Sequence, residues 1–199
     1  MLQKTEDLFT LKKLLQCAIV GDGMVGKTSL SRAFTSLPEC EDYIPTVFEN
    51  YAEKIQVNGD EYTISIFDSA GQREYGSLRR FSYEDSDVII VCFSVVDRES
   101  FQSVRDFWVP EIEKYTNRKK PLVLVATQID MRNTTSYDSD MPVSKKEAVL
   151  LANQIGASCC IECSSLDLYT VKKVFSEVVN AYIRKRKRKY TFIHKFFGK

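Results

Sequence analysis

Leu14 to Val20 is an almost unbroken apolar run, interrupted only by Gln16. A run of that length and composition predicts a strand buried on both faces, as in a parallel sheet. A glycine-rich loop follows, and then a helical stretch from Lys27 toward Leu37. Tyr51–Val57 and Glu61–Phe67 predict two strands joined through Asn58-Gly59, the strongest short hairpin signal. Asp87–Phe93 and Pro121–Thr127 are two further runs of the buried-strand type. Between them Ser100 to Tyr115 reads as a helix, with Phe101, Val104, Trp108 and Ile112 at helical spacing. Ser144-Lys-Lys-Glu147 is a capping box that opens a helix from Lys145 to Gln154. Ser158–Glu162 is a last short strand, and Val171 to about Arg186 a last helix with Val174, Val178 and Tyr182 on one face.

Strands alternating with helices predict an α/β fold: a doubly wound, mostly parallel sheet covered on both faces, with only the strand near 51–57 antiparallel. Ligands on such sheets bind at the carboxyl ends of the strands. Composition agrees with one globular domain, at 44% apolar and 28% charged residues. No apolar run approaches the roughly 20 residues of a membrane span. Met1 to Lys13 has no apolar core of the signal-peptide kind, and Leu2 stands where myristoylation needs glycine. The six cysteines are therefore expected to be reduced thiols of a cytoplasmic protein. Cys160 and Cys163 form a C-x-x-C, but with one histidine in the chain they read as strand and loop cysteines, not zinc ligands.

The loop after the first strand reads Gly21-Asp-Gly-Met-Val-Gly26-Lys27-Thr28, which fits G-x-x-x-x-G-K-[ST]. Its glycines let successive N–H groups turn toward phosphate oxygens, and the following helix adds its positive end. Gly21, Asp22, Gly23, Met24, Val25, Gly26, Lys27, Thr28 and Ser29 are the expected phosphate-binding residues, with Lys27 supplying charge and the Thr28 hydroxyl a Mg²⁺ ligand. Asp68-Ser-Ala-Gly71 ends the second hairpin strand. There Asp68 is placed to hold Mg²⁺ through water, and Ala70 and Gly71 to meet the γ-phosphate, with Gln72 next to orient an attacking water. These P-loop NTPase signals specify a nucleotide but not its base.

The base is read from two other strand ends. In Thr127-Gln128-Ile-Asp130 the Asp130 carboxylate suits the N1–H and N2–H₂ donors of guanine, which adenine lacks. The aliphatic part of Gln128 suits one face of the ring. Cys163-Ser164-Ser165 offers backbone N–H groups to the guanine O6.

With these segments in place the sequence resembles the Rho family of small GTPases, close to its Rac-like members. The likeness is carried by Gly21–Thr28, Tyr43-Ile-Pro-Thr-Val-Phe-Glu-Asn-Tyr51, Asp68–Gln72, Val91-Cys-Phe-Ser-Val-Val96, Trp108-Val-Pro-Glu-Ile112, Thr127–Asp130 and Glu162-Cys-Ser164. It implies six strands and five helices over about residues 14–183, bound GTP or GDP, and two switch loops that order around the γ-phosphate. It implies that Thr46 binds Mg²⁺ and γ-phosphate and that Tyr43 folds over the phosphates. The catalytic set becomes Gln72, Lys27 and Thr46, and the metal set Thr28, Thr46 and Asp68. Residues 43–51 become the effector edge, with Val47 to Tyr51 at its centre, and the second switch the surface for exchange factors and activating proteins. Signalling to actin organisation, polarity or membrane traffic by a slow, partner-accelerated GTPase is implied, from a monomer with no nucleic-acid partner. A largely GTP-bound, non-hydrolysing module is the alternative, and Gly23 and Gln72 argue against it.

Four departures shape the expectations. Glu39 stands where relatives have an aromatic that stacks on guanine, which predicts fast GDP release. The loop from Met131 to Met141 is shorter than the usual insert. In the second switch Arg73 replaces an acid, Ser77 an arginine and Arg80 a proline, which predicts altered regulators. The chain ends Phe197-Gly-Lys199 without a C-a-a-X cysteine, so neither prenylation nor binding of the family's dissociation inhibitor is expected.

Charge singles out the same end. Residues 184–199 hold eight of the 28 Lys and Arg and none of the 27 acids, leaving 20 basic against 27 acidic residues in 1–183. Six consecutive basic residues, Arg184 to Lys189, are followed by Tyr190, Phe192, Ile193, Phe196 and Phe197. An anionic cytosolic membrane surface, at the plasma membrane or an endomembrane, is the expected partner of this tail. A nuclear-import signal has the same pattern, and a solvated extension is the plain alternative.

Overall fold

The computed structural model describes residues 13–38, 46, 48–69, 71, 75–116, 120–133 and 141–197. Every apolar run of the sequence becomes a strand. They are β1 Leu14–Val20, β2 Phe48–Val57, β3 Asp60–Ser69, β4 Val88–Ser94, β5 Leu122–Thr127 and β6 Cys159–Glu162. Their order is β2-β3-β1-β4-β5-β6, and β2 alone is antiparallel to its neighbour. β4 is buried at all seven positions, as a strand covered on both faces must be. Edge strand β2 instead alternates, with Tyr51, Ile55 and Val57 buried between exposed neighbours.

Asn58 and Gly59 both have positive φ, 54° and 84°, the backbone of a two-residue hairpin turn. That turn fixes a register that runs to Phe48↔Ser69, so both strands outlast the alternation that marked them in sequence.

Five helices cover the sheet. α1 is Lys27–Phe34 and α2 Gly76–Asp85, while α4 is Lys145–Gln154 and α5 Leu168–Phe197. α3 is one rod over residues 98–115, composed of Arg98–Ser103, a π-helical turn Val104–Trp108, and Val109–Tyr115. α1 and α5 pack on one face, where Leu30, Phe34, Val174, Phe175 and Val178 meet Leu15, Cys17 and Ile19. The rings of Phe34 and Phe175 stack there at 3.7 Å between centroids. α2, α3 and α4 cover the other face, where Tyr83, Trp108, Ile112 and Leu151 meet Ala18, Val20, Ile89 and Val91.

Of the four helices read from the sequence pattern, three differ from that expectation, and α2 was not read from it. α1 stops at Phe34, three residues short of Leu37, where Ser36 turns to a φ of 55°. α3 is not uniformly α-helical. Pro110 has no N–H for the carbonyl four residues back, and the turn before it opens so that Val109 N–H reaches Val104 O. The last helix starts at Leu168, three residues before the expected Val171, and runs past the expected end near Arg186, through the basic hexamer, to Phe197. Lys and Arg are good helix formers, they suit the negative end of the helix dipole, and no Gly or Pro intervenes before Gly198.

Winding places the site. The chain leaves β1 toward β2 and β3 on one side, and leaves β3 to cross over β1 to β4 on the other. The carboxyl ends of β1 and β3 therefore flank the topological switch point, where open α/β sheets receive ligands.

Candidate nucleotide site

The loop between β1 and α1 is shaped by its glycines. A Cβ on Gly21, at φ 144°, would run into the carbonyl of Cys92 on β4. Gly26, at φ 84°, enters α1 with no side-chain cap, so the first N–H groups of that helix keep their hydrogen-bonding capacity for a ligand. Lys27 is 7% exposed, and its Nζ donates to the Asp22 carbonyl across 2.6 Å. Burial lowers the Lys27 pKa, with the charge of Asp68 opposing the shift. Val25 is buried beneath the loop, Met24 is exposed at φ 62°, and Ser29 is half-buried.

The three predicted metal ligands converge. Thr28 Oγ1 lies 2.8 Å from Thr46 Oγ1 and donates to Asp68 Oδ2 across 2.6 Å. Asp68 is fully buried, and burial pushes its carboxyl up to about 6, against the hydrogen bond from Thr28 and the charge of Lys27. Its Oδ1 has no hydrogen-bond partner among the described residues. Two hydroxyls and a buried carboxylate with a spare oxygen form a hard-oxygen donor set that suits Mg²⁺. Gly71 closes the arrangement. A Cβ there would stand 2.5 Å from Gly23 N and 2.6 Å from the Asp22 carbonyl carbon, so the loop after β3 rests on the loop after β1.

The segments expected to bind the base are tied to this framework. Thr127 Oγ1 lies 2.6 Å from the Val25 carbonyl and 2.8 Å from that of Phe93. Its hydroxyl thus ties the end of β5 to the phosphate loop and to β4. Gln128, at φ 58°, donates through Nε2 to the Met24 carbonyl across 3.2 Å, which lays its side chain beside the phosphate loop. Asp130 is exposed at the start of the 3-10 helix Ile129–Asn133. Ile129 N–H donates to Cys163 O, joining this loop to the one after β6. There Ser164 is buried, its N–H donates to Thr170 Oγ1 across 3.2 Å, and Ser165 is half-buried.

A polar chain beneath the phosphate loop was not legible as a site. Asp22 Oδ1 accepts from Trp108 Nε1 across 2.7 Å. The Arg79 guanidinium lies over the Trp108 ring, 5.0 Å from its centroid, and both residues are fully buried. Arg79 forks onto Glu111 through Nε, 2.8 Å, and Nη2, 2.9 Å, and Tyr83 OH donates to Glu111 Oε1 across 2.7 Å. Burial pushes the Glu111 carboxyl up, but the bonds from Arg79 and Tyr83 outweigh it and hold the carboxyl below its usual range. In sequence Trp108 is one more apolar position on a helix. The signal that sets it apart is Pro110, which opens the π-helical turn that carries the indole.

On the expected effector edge Phe48, Glu49 and Asn50 are exposed, but Tyr51 is buried and belongs to the core. Ser77, Arg80 and Phe81 are exposed on α2, and Arg80 pairs with Glu84 at 2.8 Å. Gln72, Tyr43, Ala70, Val47, Glu39, Cys40, Arg73 and most of the shortened loop, 134–140, lie outside the described residues. Among the described residues no helix is long and apolar enough to cross a membrane. Cys160 and Cys163 are free thiols, half-buried and buried, and no group of metal-binding His, Cys, Asp or Glu gathers there among the described residues. A family model of the Ras family matches residues 16–184, a span that contains every site residue named above.

Proposed function

This chain belongs to the Ras family, a family of GTP-binding switches with GTPase activity, and we propose that within it the protein works as a Rho-type signalling switch that acts at anionic membrane surfaces. One observation carries the nucleotide chemistry. Thr28, Thr46 and Asp68 meet within hydrogen-bonding distance beside Lys27, at the carboxyl ends of β1 and β3. Mg²⁺, when bound, screens the charge on the β- and γ-phosphate oxygens. Thr28, Thr46 and Asp68 would hold it. Lys27 would turn its ammonium from the Asp22 carbonyl to the phosphates, and the uncapped start of α1 would bind their oxygens. Gln72 would orient the attacking water. Asp130 would select guanine, and the N–H at Ser165 would meet its O6, since that of Ser164 is donated to Thr170 Oγ1.

The Rho-type reading is supported by Tyr43–Tyr51 and Trp108–Ile112 in the sequence and by the exposed edge Phe48–Asn50. Switching is the property to test. Hydrogen exchange of residues 43–51 and 72–80 is compared in protein loaded with Mg²⁺·GDP and with a non-hydrolysable GTP analogue. The proposal expects slower exchange in both segments with the analogue; equal exchange in the two states would refute it.

Glu39 favours rapid GDP release and a protein that loads GTP with little help. Membrane action is supported by the basic end of α5, where Arg184, Lys185, Lys187 and Arg188 are exposed. Tyr190, Ile193 and Phe197 follow at helical spacing in sequence.

A further inference from the structure

We infer that Trp108 is a positioning residue for nucleotide binding: its indole N–H holds the Asp22 carboxylate toward α3, and the Arg79–Glu111 pair fixes the indole, so that α2 and the phosphate loop move as one body. The inference rests on the nucleotide reading of the site and adds a control element to it.

Asp22 is where the parts of the site meet. Its carbonyl accepts from Lys27 Nζ, its peptide abuts Gly71, and its carboxylate accepts from Trp108. A carboxylate within a phosphate-binding loop carries the same sign of charge as the ligand, and two such charges a few ångströms apart repel. A donor that pins it toward the protein interior removes that conflict. Trp108 suits this task because indole offers one N–H and no acceptor, so it tolerates only a carboxylate turned toward it. The indole itself is held on its face by Arg79, and Arg79 by the two-pronged bond to Glu111.

The other end of the chain of contacts lies in α2, the helix that follows Asp68–Gly71 and contains Arg79 and Tyr83. Gly76, at the start of α2, also touches the pair, since a Cβ there would stand 3.4 Å from Glu111 Oε2. A regulator that shifts α2 would move Arg79, release the indole and free the Asp22 carboxylate beside the phosphates. The surface that partners read is thereby coupled to nucleotide retention through contacts that touch no nucleotide.

Trp108 is the sole tryptophan of the chain, which supplies a readout other than turnover. Release of labelled GDP is measured for the full chain and for Trp108→Phe, Glu111→Gln, Asp22→Ala, the Asp22→Ala/Trp108→Phe double variant and Ile112→Val. Trp108→Phe keeps an aromatic ring but loses the N–H together with the pyrrole half of a fully buried indole, so the Asp22→Ala background separates the hydrogen bond from the lost packing. It is expected to speed release ~10-fold, the scale of one hydrogen bond to a charged group. Glu111→Gln is expected to shift release the same way. In the Asp22→Ala background Trp108→Phe is expected to change nothing. Ile112→Val trims the same buried face away from the relay and is expected to leave release unchanged. Trp108 emission is expected to respond to GDP in the native chain and to lose that response in Asp22→Ala.

Native release rates in Trp108→Phe or Glu111→Gln would overturn the relay. An equal acceleration by Ile112→Val, or an undiminished effect of Trp108→Phe in the Asp22→Ala background, would reduce it to general packing and overturn it too. A native chain that binds no GDP would instead refute the nucleotide reading.

Discussion

Thr28 Oγ1 donates to Asp68 Oδ2 across 2.6 Å, and this bond joins the first turn of α1 to the end of β3 at the switch point of the sheet. Asp68 is fully buried and its second oxygen has no partner among the described residues, so Thr28 is what keeps the carboxylate engaged. Thr28→Val removes the hydroxyl with little change in shape. Stranding a buried acceptor costs about 1–3 kcal/mol, more for a charged group. Native protein is expected to release GDP faster when EDTA removes Mg²⁺. Thr28→Val is expected to release it fast with or without EDTA.

Gly71 tests the contact between the two loops. With Gly23 N 2.5 Å from the position of an added Cβ, Gly71→Ala must push the second switch off the phosphate loop, because the obstructing atoms are backbone. Misplacement by about 1 Å costs on the order of 10²-fold in rate. Single-turnover GTP hydrolysis is expected to fall on that scale, while GDP affinity, which the proposal assigns to Lys27 and the base loops, is expected to change far less.

Glu39 lies outside the described residues, and its prediction rests on the likeness to Rho-type relatives, which have a stacking aromatic at that position. Glu39→Phe restores a stacking face, and base–aromatic contacts are worth about 1–3 kcal/mol. GDP release from Glu39→Phe is expected to be ~10-fold slower than from the native chain. An unchanged rate would mean that the guanine face is already covered by other residues.

The capping box gives a stability prediction with a pH dependence. Ser144 Oγ accepts from Glu147 N–H across 3.3 Å, and Ser144 N–H donates to Glu147 Oε2 across 2.8 Å. The hydroxyl and backbone bonds from Ser144, with help from Arg98, hold the Glu147 carboxyl down to about 2. A carboxyl whose folded value is depressed stabilises the fold above its unfolded value, near 4.3, and loses that contribution as pH falls through the folded one. Ser144→Ala is expected to cost about 1 kcal/mol in urea unfolding at pH 7. Its difference from the native chain is expected to narrow below about pH 4.

The basic end of α5 is tested on vesicles. Each Lys or Arg near an anionic leaflet contributes about 1 kcal/mol. Replacing Arg184 to Lys189 by glutamine is expected to abolish sedimentation with phosphatidylserine vesicles and to leave GTP binding intact. Native protein that stays in the supernatant would remove the membrane from the account, and import into nuclei by the native hexamer alone would assign it to the other use of that pattern.

The central strands of this protein were legible because they are covered on both faces, and the hairpin because Asn58-Gly59 joins two alternating runs. β1, β4 and β5 are apolar nearly throughout, and β1 and β5 are each followed at once by a loop with its own chemical signature. The phosphate loop was legible for the same reason, since Gly21 and Gly26 are demanded by backbone geometry. α2 was not, because Gly76–Asp85 is polar and buries Arg79 and Tyr83 through their bonds to Glu111, which periodicity does not register. The end of α5 was placed too early, near Arg186, because the apolar face that marks the helix fades into the basic hexamer, although Lys and Arg are good helix formers. Trp108 was placed correctly in the core, but its N–H and the carboxylate it serves lie 86 positions apart in the chain, a pairing that spacing does not reveal.

The most direct test of the central claim is competition for the site with Mg²⁺ present. The purified chain is loaded with labelled GDP, unlabelled GTP, GDP or ATP is added in turn, and Asp130→Ala is run beside the native chain. The account predicts displacement by GTP and GDP at concentrations at least 10³-fold below those at which ATP acts, and collapse of that preference in Asp130→Ala. Equal displacement by ATP, or a preference that survives in Asp130→Ala, would contradict it.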